Sequence, residues 1–371
     1  MSLFDVRHQE RAQRLLLRAL GCARLPHAYI FHGPAGVGKE MLARRLASLL
    51  LCSDPQSGSG AADVPAGLAD LAEAGRTPCG TCRACKLMAA DNHPDLHVVH
   101  RLLNAYHPDA LVLNRKAVNL GVEVIRHFLI EPAGIAANMG SYKVFIIRDA
   151  DRISPSAQNA LLKTLEEPPP ATILILLVSA LDQLLPTTRS RCQLVPFGPL
   201  PDAFVLERLQ AVQPDLAADD ARVYATLAQG SIAAALRYAE DELADFNRAL
   251  AAMLASLTPH SATEAVKAIM EFTKQHSGAY RKRDPELSET AAQREALRAV
   301  FALLATAYRE RMARACGGDD TDADPMALAH AVRVIARAEG QLELNVNVQL
   351  CVESLVFALA RLPHMPRAAF T

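Results

Sequence analysis

The stretch Ala28-Tyr-Ile-Phe-His-Gly-Pro-Ala-Gly-Val-Gly-Lys39 decides the fold of the first half of the chain. It joins a short apolar run of strand length to a glycine-rich turn that ends in a lysine. A helical pattern follows, and its predicted apolar face is formed by Met41, Leu42, Leu46, Leu49 and Leu50. Strand, glycine turn and helix in this order are typical of a loop that binds phosphate with its backbone N–H groups. The stretch therefore predicts a P-loop α/β domain.

The P-loop pattern is complete as far as its lysine. The candidate phosphate-binding residues are Gly33, Gly36, Gly38 and Lys39. In such a loop the helix dipole favours negative charge and the lysine reaches the terminal phosphates. The next residue is Glu40, where the pattern has a serine or threonine that holds Mg²⁺. Because a carboxylate here would lie close to the phosphates, we expect weak or absent nucleotide binding.

A second part of an ATPase site should follow a later strand. Val144–Ile147 is a buried-strand candidate, and a working site would continue with an aspartate for Mg²⁺ and a glutamate that positions water. This chain has Arg148, which cannot hold a cation, and Asp149, which is one carbon shorter than glutamate. A shifted register that uses Asp149 or Asp151 is the alternative. We treat Glu40 and Arg148 as two independent departures, and both predict a P-loop fold without hydrolysis.

The remaining α/β pattern ends at a proline-rich segment. Ser154-Pro155 is typical of a helix start, with serine as N-cap and proline in the first turn, and this helix should end before Pro168. Thr172–Val178 is a third apolar strand. Apolar strands with helices between them predict a parallel sheet covered on both faces. The prolines of Pro196–Pro201 indicate a linker, and the pattern beyond it is almost wholly helical.

Three segments interrupt this organisation. Residues 53–78 are rich in small residues and proline and are predicted to be an insertion. Loops are expected at residues 276–285 and 317–325 of the helical half. The first of them carries Arg281-Lys-Arg283, which we interpret as a solvated basic run rather than a DNA contact. The aspartates of the second predict an exposed acidic loop.

Four of the eight cysteines form a candidate metal site. The four candidate ligands are Cys52, Cys79, Cys82 and Cys85. Four thiolates suit tetrahedral Zn²⁺, so we predict a structural zinc site. An iron–sulfur cluster is the rival, since cysteines at this spacing also hold such clusters. His93 and His97 are the substitutes for Cys52, which is separated from the others by the insertion.

Length and charge narrow the possible functions. The chain has 371 residues, and 39 Lys plus Arg against 40 Asp plus Glu give a formal net charge of −1. This balance argues against a strongly basic nucleic-acid binder. No run approaches the roughly 18 apolar residues of a membrane span, and residues 1–14 lack the apolar core of a signal peptide. We expect a cytoplasmic protein without disulfides.

Two further motifs resemble those of the AAA+ clamp-loader family. They are Asn159-Ala-Leu-Leu-Lys-Thr-Leu-Glu-Glu-Pro-Pro169 and Ser190-Arg191-Cys192. Together with the cysteine set, the altered ATPase residues and Leu344-Asn345-Val346-Asn347, they make essentially the whole chain similar to these proteins. The resemblance implies α/β followed by all-α architecture. Its implied domains are a RecA-like AAA+ domain (1–198) with an inserted zinc module (52–90), a small helical lid (199–243) and a helical collar (244–371).

The resemblance also implies roles for two motifs. In this family the arginine of the Ser-Arg-Cys motif reaches a nucleotide held by a neighbouring subunit, which makes Arg191 the candidate arginine finger. The alternative is that Arg191 only pairs with a carboxylate of its own domain. Active relatives carry an arginine after Gly-Ser in the lid, whereas this chain has Gly230-Ser231-Ile232-Ala233. The nucleotide-sensing arginine is therefore missing.

The implied function is that of a non-hydrolysing subunit of a five-subunit ring that loads a sliding clamp onto primed DNA. Its implied partners are gamma/tau ATPase and delta subunits, contacted through the AAA+ and collar domains. The ring belongs to a DNA polymerase holoenzyme, a nucleotidyltransferase. We expect structural zinc, no intrinsic ATPase activity and no membrane. The alternatives are an ATP-hydrolysing motor subunit of the same ring and a free-standing zinc-bearing DNA-repair ATPase.

Overall fold

The computed structural model describes residues 3–22, 25–57, 76–113, 119–283, 287–317, 320, 323–343 and 346–362. The chain forms two compact units, Met1–Pro201 and Asp202–Thr371. Most of the predicted insertion, and Leu344 and Asn345 of the C-terminal motif, lie outside the described residues. Among the residues described, no helix is long and apolar enough to cross a membrane.

A five-stranded parallel sheet organises the first unit. Its strands lie in the order β4-β5-β6-β1-β7, and a separate two-stranded ladder joins β2 to β3. The strands are β1 (Ala28–His32), β2 (Gln56–Ser57), β3 (Arg76–Thr77), β4 (Leu96–Val99), β5 (Lys143–Ile147), β6 (Thr172–Val178) and β7 (Gln193–Pro196). Every residue of β5 and β6 is buried. The predicted parallel sheet with helices is confirmed, because strands buried on both faces need cover from both sides.

Two strands of this sheet have no clear signal in the sequence. Strands β4 and β7 have only four residues each, and β7 is exposed at its first two positions. Both lie at edges of the sheet, where short, partly polar strands suffice. Pro196 was predicted to begin a linker, but it is the last residue of β7, pairing with His32. Proline is tolerated there because an edge strand leaves some N–H groups unpaired.

Helices cover the sheet of the first unit. They are α1 (Glu10–Gly21), α2 (Lys39–Leu51), α3 (Arg83–Ala89), α4 (Ala110–Leu113), α5 (Val122–Ile125), α6 (Glu131–Ala133), α7 (Pro155–Glu166) and α8 (Pro186–Arg189), with a π-helical turn between α5 and α6. The predicted start of α7 is confirmed, since the Ser154 hydroxyl accepts a hydrogen bond from the Ala157 N–H at 3.3 Å. The helix ends two residues before Pro168, because proline cannot continue it.

The prediction that Met41 belongs to the apolar face of α2 is wrong. Leu42, Leu46 and Leu49 are buried as expected, but the Met41 side chain is 49% exposed. Leu42, Ala43, Leu46 and Ala47 form the buried face, and the rotation of about 100° per residue places Met41 on the opposite side of the helix. The spacing of the other leucines carries the correct face.

The second unit is helical throughout its described elements. Its helices are α9 (Asp202–Val212), α10 (Ala218–Leu227), α11 (Ile232–Glu240), α12 (Leu243–Ala255), α13 (Ala262–Arg283), α14 (Glu289–Gly317), α15 (Pro325–Glu343) and α16 (Val348–Ala360). The loop predicted at residues 276–285 is wrong as far as Arg283, where α13 ends. Arg283 is not a solvated loop residue, because its Nη2 donates to the buried Asp241 carboxylate at 2.7 Å. The division of this unit into lid and collar stays a prediction.

Gly33→Ala is expected to destabilise the first unit. Gly33 has φ +148°, and a Cβ at this position would lie 2.3 Å from the Phe197 carbonyl oxygen. Backbone strain and overpacking together should lower the free energy of unfolding by about 2–4 kcal/mol, measured by urea denaturation. The control is Gly198→Ala, where a Cβ meets nothing within 4 Å. Equal stability of the two variants would contradict this packing argument.

Candidate functional site

The candidate phosphate loop lies at the carboxyl end of β1, beside the end of β6. Gly33, Gly36 and Gly38 all have positive φ, which lets the backbone turn sharply around the loop. The Gly33 N–H donates to the Val178 carbonyl at 3.2 Å and so ties the loop to the end of β6. The loop then enters the first turn of α2 at Lys39. The carboxyl ends of parallel strands are where ligands bind in such sheets.

Lys39 is turned back onto its own loop. Its ammonium donates to the carbonyl of Gly33, to that of Pro34 at 2.6 Å and to the Ser179 hydroxyl at 3.4 Å. The residue is buried. Burial lowers the pKa of Lys39 to about 8, although the carboxylates of Asp151 and Asp149 oppose this shift. The positive charge that would meet a phosphate is thus held by backbone oxygens.

Glu40 and Arg148 are not independent, because they form an ion pair with each other. Arg148 Nη2 contacts Glu40 Oε1, which also accepts from Arg44 Nε at 2.9 Å. Burial acts to raise the pKa of Glu40, but the hydrogen bonds from the two arginines outweigh it and hold the pKa below its usual range. The carboxylate is therefore charged at neutral pH. The Arg148 guanidinium therefore contacts Glu40 at the place where the P-loop pattern has a hydroxyl that binds Mg²⁺.

Asp151, one of the two alternative magnesium ligands, is engaged in other hydrogen bonds. The Asp151 carboxylate accepts hydrogen bonds from the backbone N–H groups of Ser179 at 3.3 Å and Ala180 at 3.1 Å. It thus holds the turn that follows β6. Asp149 lies in the left-handed region, with φ +48°, directly after Arg148. The pairing of Glu40 with Arg148 was missed from sequence, although opposite charges at two positions that should both serve one cation were a usable signal.

The four cysteines predicted as ligands come together. Their sulfurs all lie within 4.8 Å of one another, with separations of 3.6 Å from Cys52 to Cys79 and to Cys85, and 3.9 Å from Cys52 to Cys82. Cys52 follows the last residue of α2, and Cys82 is the N-cap of α3. Tetrahedral Zn²⁺ with Zn–S bonds of about 2.3 Å places its sulfurs roughly 3.8 Å apart. The cluster can therefore hold a metal ion of this kind.

The ionisation of the thiols also fits a cation. Burial raises the pKa of Cys82, but the backbone N–H groups of Cys85 and Ser53 outweigh it and lower the pKa to about 6. Burial and the sulfurs of Cys82 and Cys52 raise the pKa of Cys85 to about 12. The backbone N–H of Cys82 also lowers the pKa of Cys79, so two thiols ionise readily, whereas ionisation of Cys52 and Cys85 is opposed. A bound cation would remove that opposition, since metals deprotonate thiols that coordinate them.

The two substitute ligands lie elsewhere. His93 Nδ1 accepts from the Asp95 N–H at 3.1 Å, and the His97 ring stacks on Phe145 with centroids 4.6 Å apart. Neither belongs to the four-sulfur cluster. Cys52 completes the cluster because the end of α2 lies beside the start of α3.

Arg191 lies on the surface just beyond α8, paired with a carboxylate of its own unit. Its Nε and Nη2 donate to Glu166 Oε1 at 2.9 and 2.5 Å, and its Nη1 donates to the Thr187 carbonyl at 2.9 Å. The side chain keeps about a third of its surface exposed. Cys192, the next residue, packs against the hydrophobic core, and burial raises its pKa to about 12. Arg191 is therefore accessible to solvent, while its guanidinium is held by Glu166 and the Thr187 carbonyl.

The candidate lid motif begins a helix. Gly230 has φ +82°, and the Ser231 hydroxyl caps α11 by accepting from the Ala234 N–H at 3.1 Å. Ala233, where the resemblance implies a sensing arginine in active relatives, is exposed. The motif keeps its capping function here without a cation at that position.

Comparison with known proteins identifies the family. Residues 8–201, just over half of the chain, match the family model described as "DNA polymerase III, delta subunit". A DNA polymerase III subunit delta' of Bacillus subtilis is 32% identical over 64% of this chain and 61% of the relative. The corresponding subunit of Pseudomonas aeruginosa is 36% identical over 57% and 55%. The chain belongs to the DNA polymerase III delta-prime family.

A DNA polymerase III subunit of another name is also similar to this chain. DNA polymerase III subunit gamma/tau of Mycobacterium bovis is 32% identical over 59% of this chain and 33% of that longer relative. The chain thus spans less than two thirds of the length of these relatives. Since the family match covers residues 8–201, it includes the phosphate loop, the cysteine cluster and Arg191.

The cysteine cluster predicts about one zinc per chain in the purified protein. Elemental analysis should find zinc without visible absorption, and Cys82→Ala should lower the zinc content at least tenfold, because the tetrahedral set is incomplete. The matched control is Cys351→Ala, which removes a buried thiol of the second unit. A brown protein that contains iron would contradict the assignment of zinc.

Proposed function

We propose that this chain is a non-hydrolysing subunit of the DNA polymerase III clamp loader that contributes Arg191 to the ATP site of a neighbouring subunit. Within that complex it helps to load the sliding clamp onto primed DNA. The observation that carries the proposal is the ion pair of Arg148 with Glu40. Family membership supports the coarser statement, a clamp-loader subunit, and the ion pair supports the absence of hydrolysis by this chain.

The ion pair opposes catalysis by this chain at two levels. A P-loop ATPase uses a hydroxyl and an acidic side chain at these two places to hold Mg²⁺, which neutralises charge on the phosphates. Here the two side chains satisfy each other. Moreover, Glu40 lies in the first turn of α2, so its carboxylate stands at the helix end that would attract a phosphate. A nucleotide would meet Glu40 already paired with two arginines and not available to hold Mg²⁺.

The proposed architecture follows from the two units. The P-loop and its parallel sheet support a RecA-like AAA+ domain over residues 1–198 that carries the zinc module 52–90. The helices of the second unit support a lid over 199–243 and a collar over 244–371. Gamma/tau and delta subunits are the proposed partners of the AAA+ and collar domains. A net charge of −1 fits a subunit that reaches primed DNA through the complex.

Zinc has a structural role in this proposal. Four protein sulfurs fill a tetrahedral site and leave no open position for water, unlike catalytic zinc. The cluster joins the end of α2 to the start of α3, so that metal binding fixes the base of the inserted segment. Cys52, Cys79, Cys82 and Cys85 would hold the ion.

One observation favours the alternative of an ATP-hydrolysing motor. Gly33, Gly36, Gly38 and Lys39 retain the phosphate-loop pattern, and the gamma/tau relative is 32% identical over 59% of the chain. Against it stand the ion pair and the exposed alanine at position 233. We therefore place the motor second.

Arg191→Ala should abolish the contribution of this subunit to clamp loading. An arginine finger is worth about 10³–10⁵ in rate, so hydrolysis at the site it faces should fall at least about 10³-fold, and loading with it. The readouts are ATP hydrolysis and clamp loading by the reconstituted complex. Arg189→Ala, two residues away, is the control and should behave as wild type. Unchanged hydrolysis and loading with Arg191→Ala would overturn the proposal.

A further inference from the structure

We propose that Glu166 is the positioning residue of the arginine finger, and this inference rests on the proposed role of Arg191. Glu166 is the last residue of α7, and Arg191 follows α8. The two side chains are joined by two hydrogen bonds of 2.9 and 2.5 Å. Glu166 thereby holds the guanidinium in one orientation at the surface of its own unit.

The contacts occupy a particular edge of the guanidinium. Nε and Nη2 form its side-on edge, and both donate to Glu166 Oε1. Nη1 donates to the Thr187 carbonyl at 2.9 Å and, more weakly, to the Ser190 hydroxyl at 3.3 Å. A guanidinium has five N–H donors and these contacts use four of them, so one N–H of Nη2 stays available at the outer edge between Nη1 and Nη2. That edge is the one a phosphate of a second molecule would reach.

Stability does not explain why a glutamate stands at this position. A carboxylate in the last turn of a helix meets the negative end of the dipole, which disfavours it. Half of the Glu166 side chain is exposed, and exposed ion pairs contribute little to folding. The pair therefore gains the fold almost nothing. Orientation of a side chain with four flexible torsions is the effect that remains.

Orientation matters because a finger acts through geometry. A charge-assisted N–H···O bond to a phosphate forms only when the planar guanidinium is correctly oriented. Misplacement of a catalytic group by about 1 Å can cost around 10²-fold in rate. Glu166 from α7 and the Thr187 carbonyl from α8 hold the fork from two separate elements. The chain thus presents Arg191 already ordered, before a neighbouring nucleotide arrives.

The test is a double-mutant cycle in the reconstituted clamp-loader complex. Glu166→Ala should lower the maximal rate of ATP hydrolysis and clamp loading about tenfold to a hundredfold, with the ATP concentration for half-maximal rate little changed. Glu166→Gln should recover part of the loss, because its amide oxygen still accepts from the guanidinium. In the Arg191→Ala background, Glu166→Ala should cause no further loss. Glu167→Ala, which alters the adjacent exposed glutamate, is the matched control.

The outcomes separate this inference from the proposed function. If Arg191→Ala lowers the rate and Glu166→Ala does not, only the role of Glu166 is wrong. A rate that rises with Glu166→Ala would make Glu166 a competitor for the finger and also overturn it. An equal loss in the Arg191→Ala background would show that Glu166 acts elsewhere. If Arg191→Ala has no effect, the proposed function itself fails. Thermal unfolding of each variant chain verifies that the fold is kept.

Discussion

The ion pair between Arg148 and Glu40 is the constraint on which the functional interpretation depends. It joins the first turn of α2 to the end of β5, the two elements between which an ATPase would hold Mg²⁺. Each side chain is about one third exposed, so the pair adds at most about 1 kcal/mol to stability. Its consequence lies in binding: each charge satisfies the other, and Lys39 is held by loop carbonyls. The phosphate loop keeps its backbone geometry, but the side chains that would contact a nucleotide are bound to other groups of the chain.

The helix α2 connects the phosphate loop to the cysteine cluster. Lys39 and Glu40 lie in its first turn, and Cys52 follows its last residue. Arg44, between them, bridges Glu40 to Asp91, which lies just beyond α3. A metal bound by the four sulfurs would thus fix the far end of the same helix. Arg191, by contrast, is supported by α7 and α8, so its presentation does not require an open phosphate loop.

Much of the fold could be predicted because its signals are local. The run Thr172–Val178, the glycines of the loop and the Ser154 cap each specify backbone geometry through their own residues. The cysteine cluster was also predictable, since few other arrangements explain three thiols at such spacing. Strands β4 and β7 could not be found, because an edge strand of four residues needs no periodic pattern. The predictions that Met41 is buried and that α13 ends before residue 276 were wrong. In both cases the outcome depends on neighbouring residues that sequence spacing alone does not reveal.

The side-chain pairings were beyond the sequence for a different reason. Glu40 and Arg148 are separated by 108 positions, and Glu166 and Arg191 by 25. Only the parallel order of the strands brings each pair together. Sequence patterns identified Glu40, Arg148 and Arg191 as unusual residues, but they could not show which charge each one meets. Because Glu40 and Arg148 pair with each other, the two departures from the ATPase pattern form one ion pair rather than two separate changes.

Titration of Mg²⁺-ATP into the purified chain tests the closed phosphate loop most directly. With Glu40 paired to Arg148, isothermal calorimetry should detect no magnesium-dependent binding at micromolar nucleotide, and Lys39→Ala should change nothing. Binding with a Kd near 1 μM, equivalent to about −8 kcal/mol, that depends on Mg²⁺ and is lost in Lys39→Ala would contradict the closed loop. That result would make the chain a motor subunit.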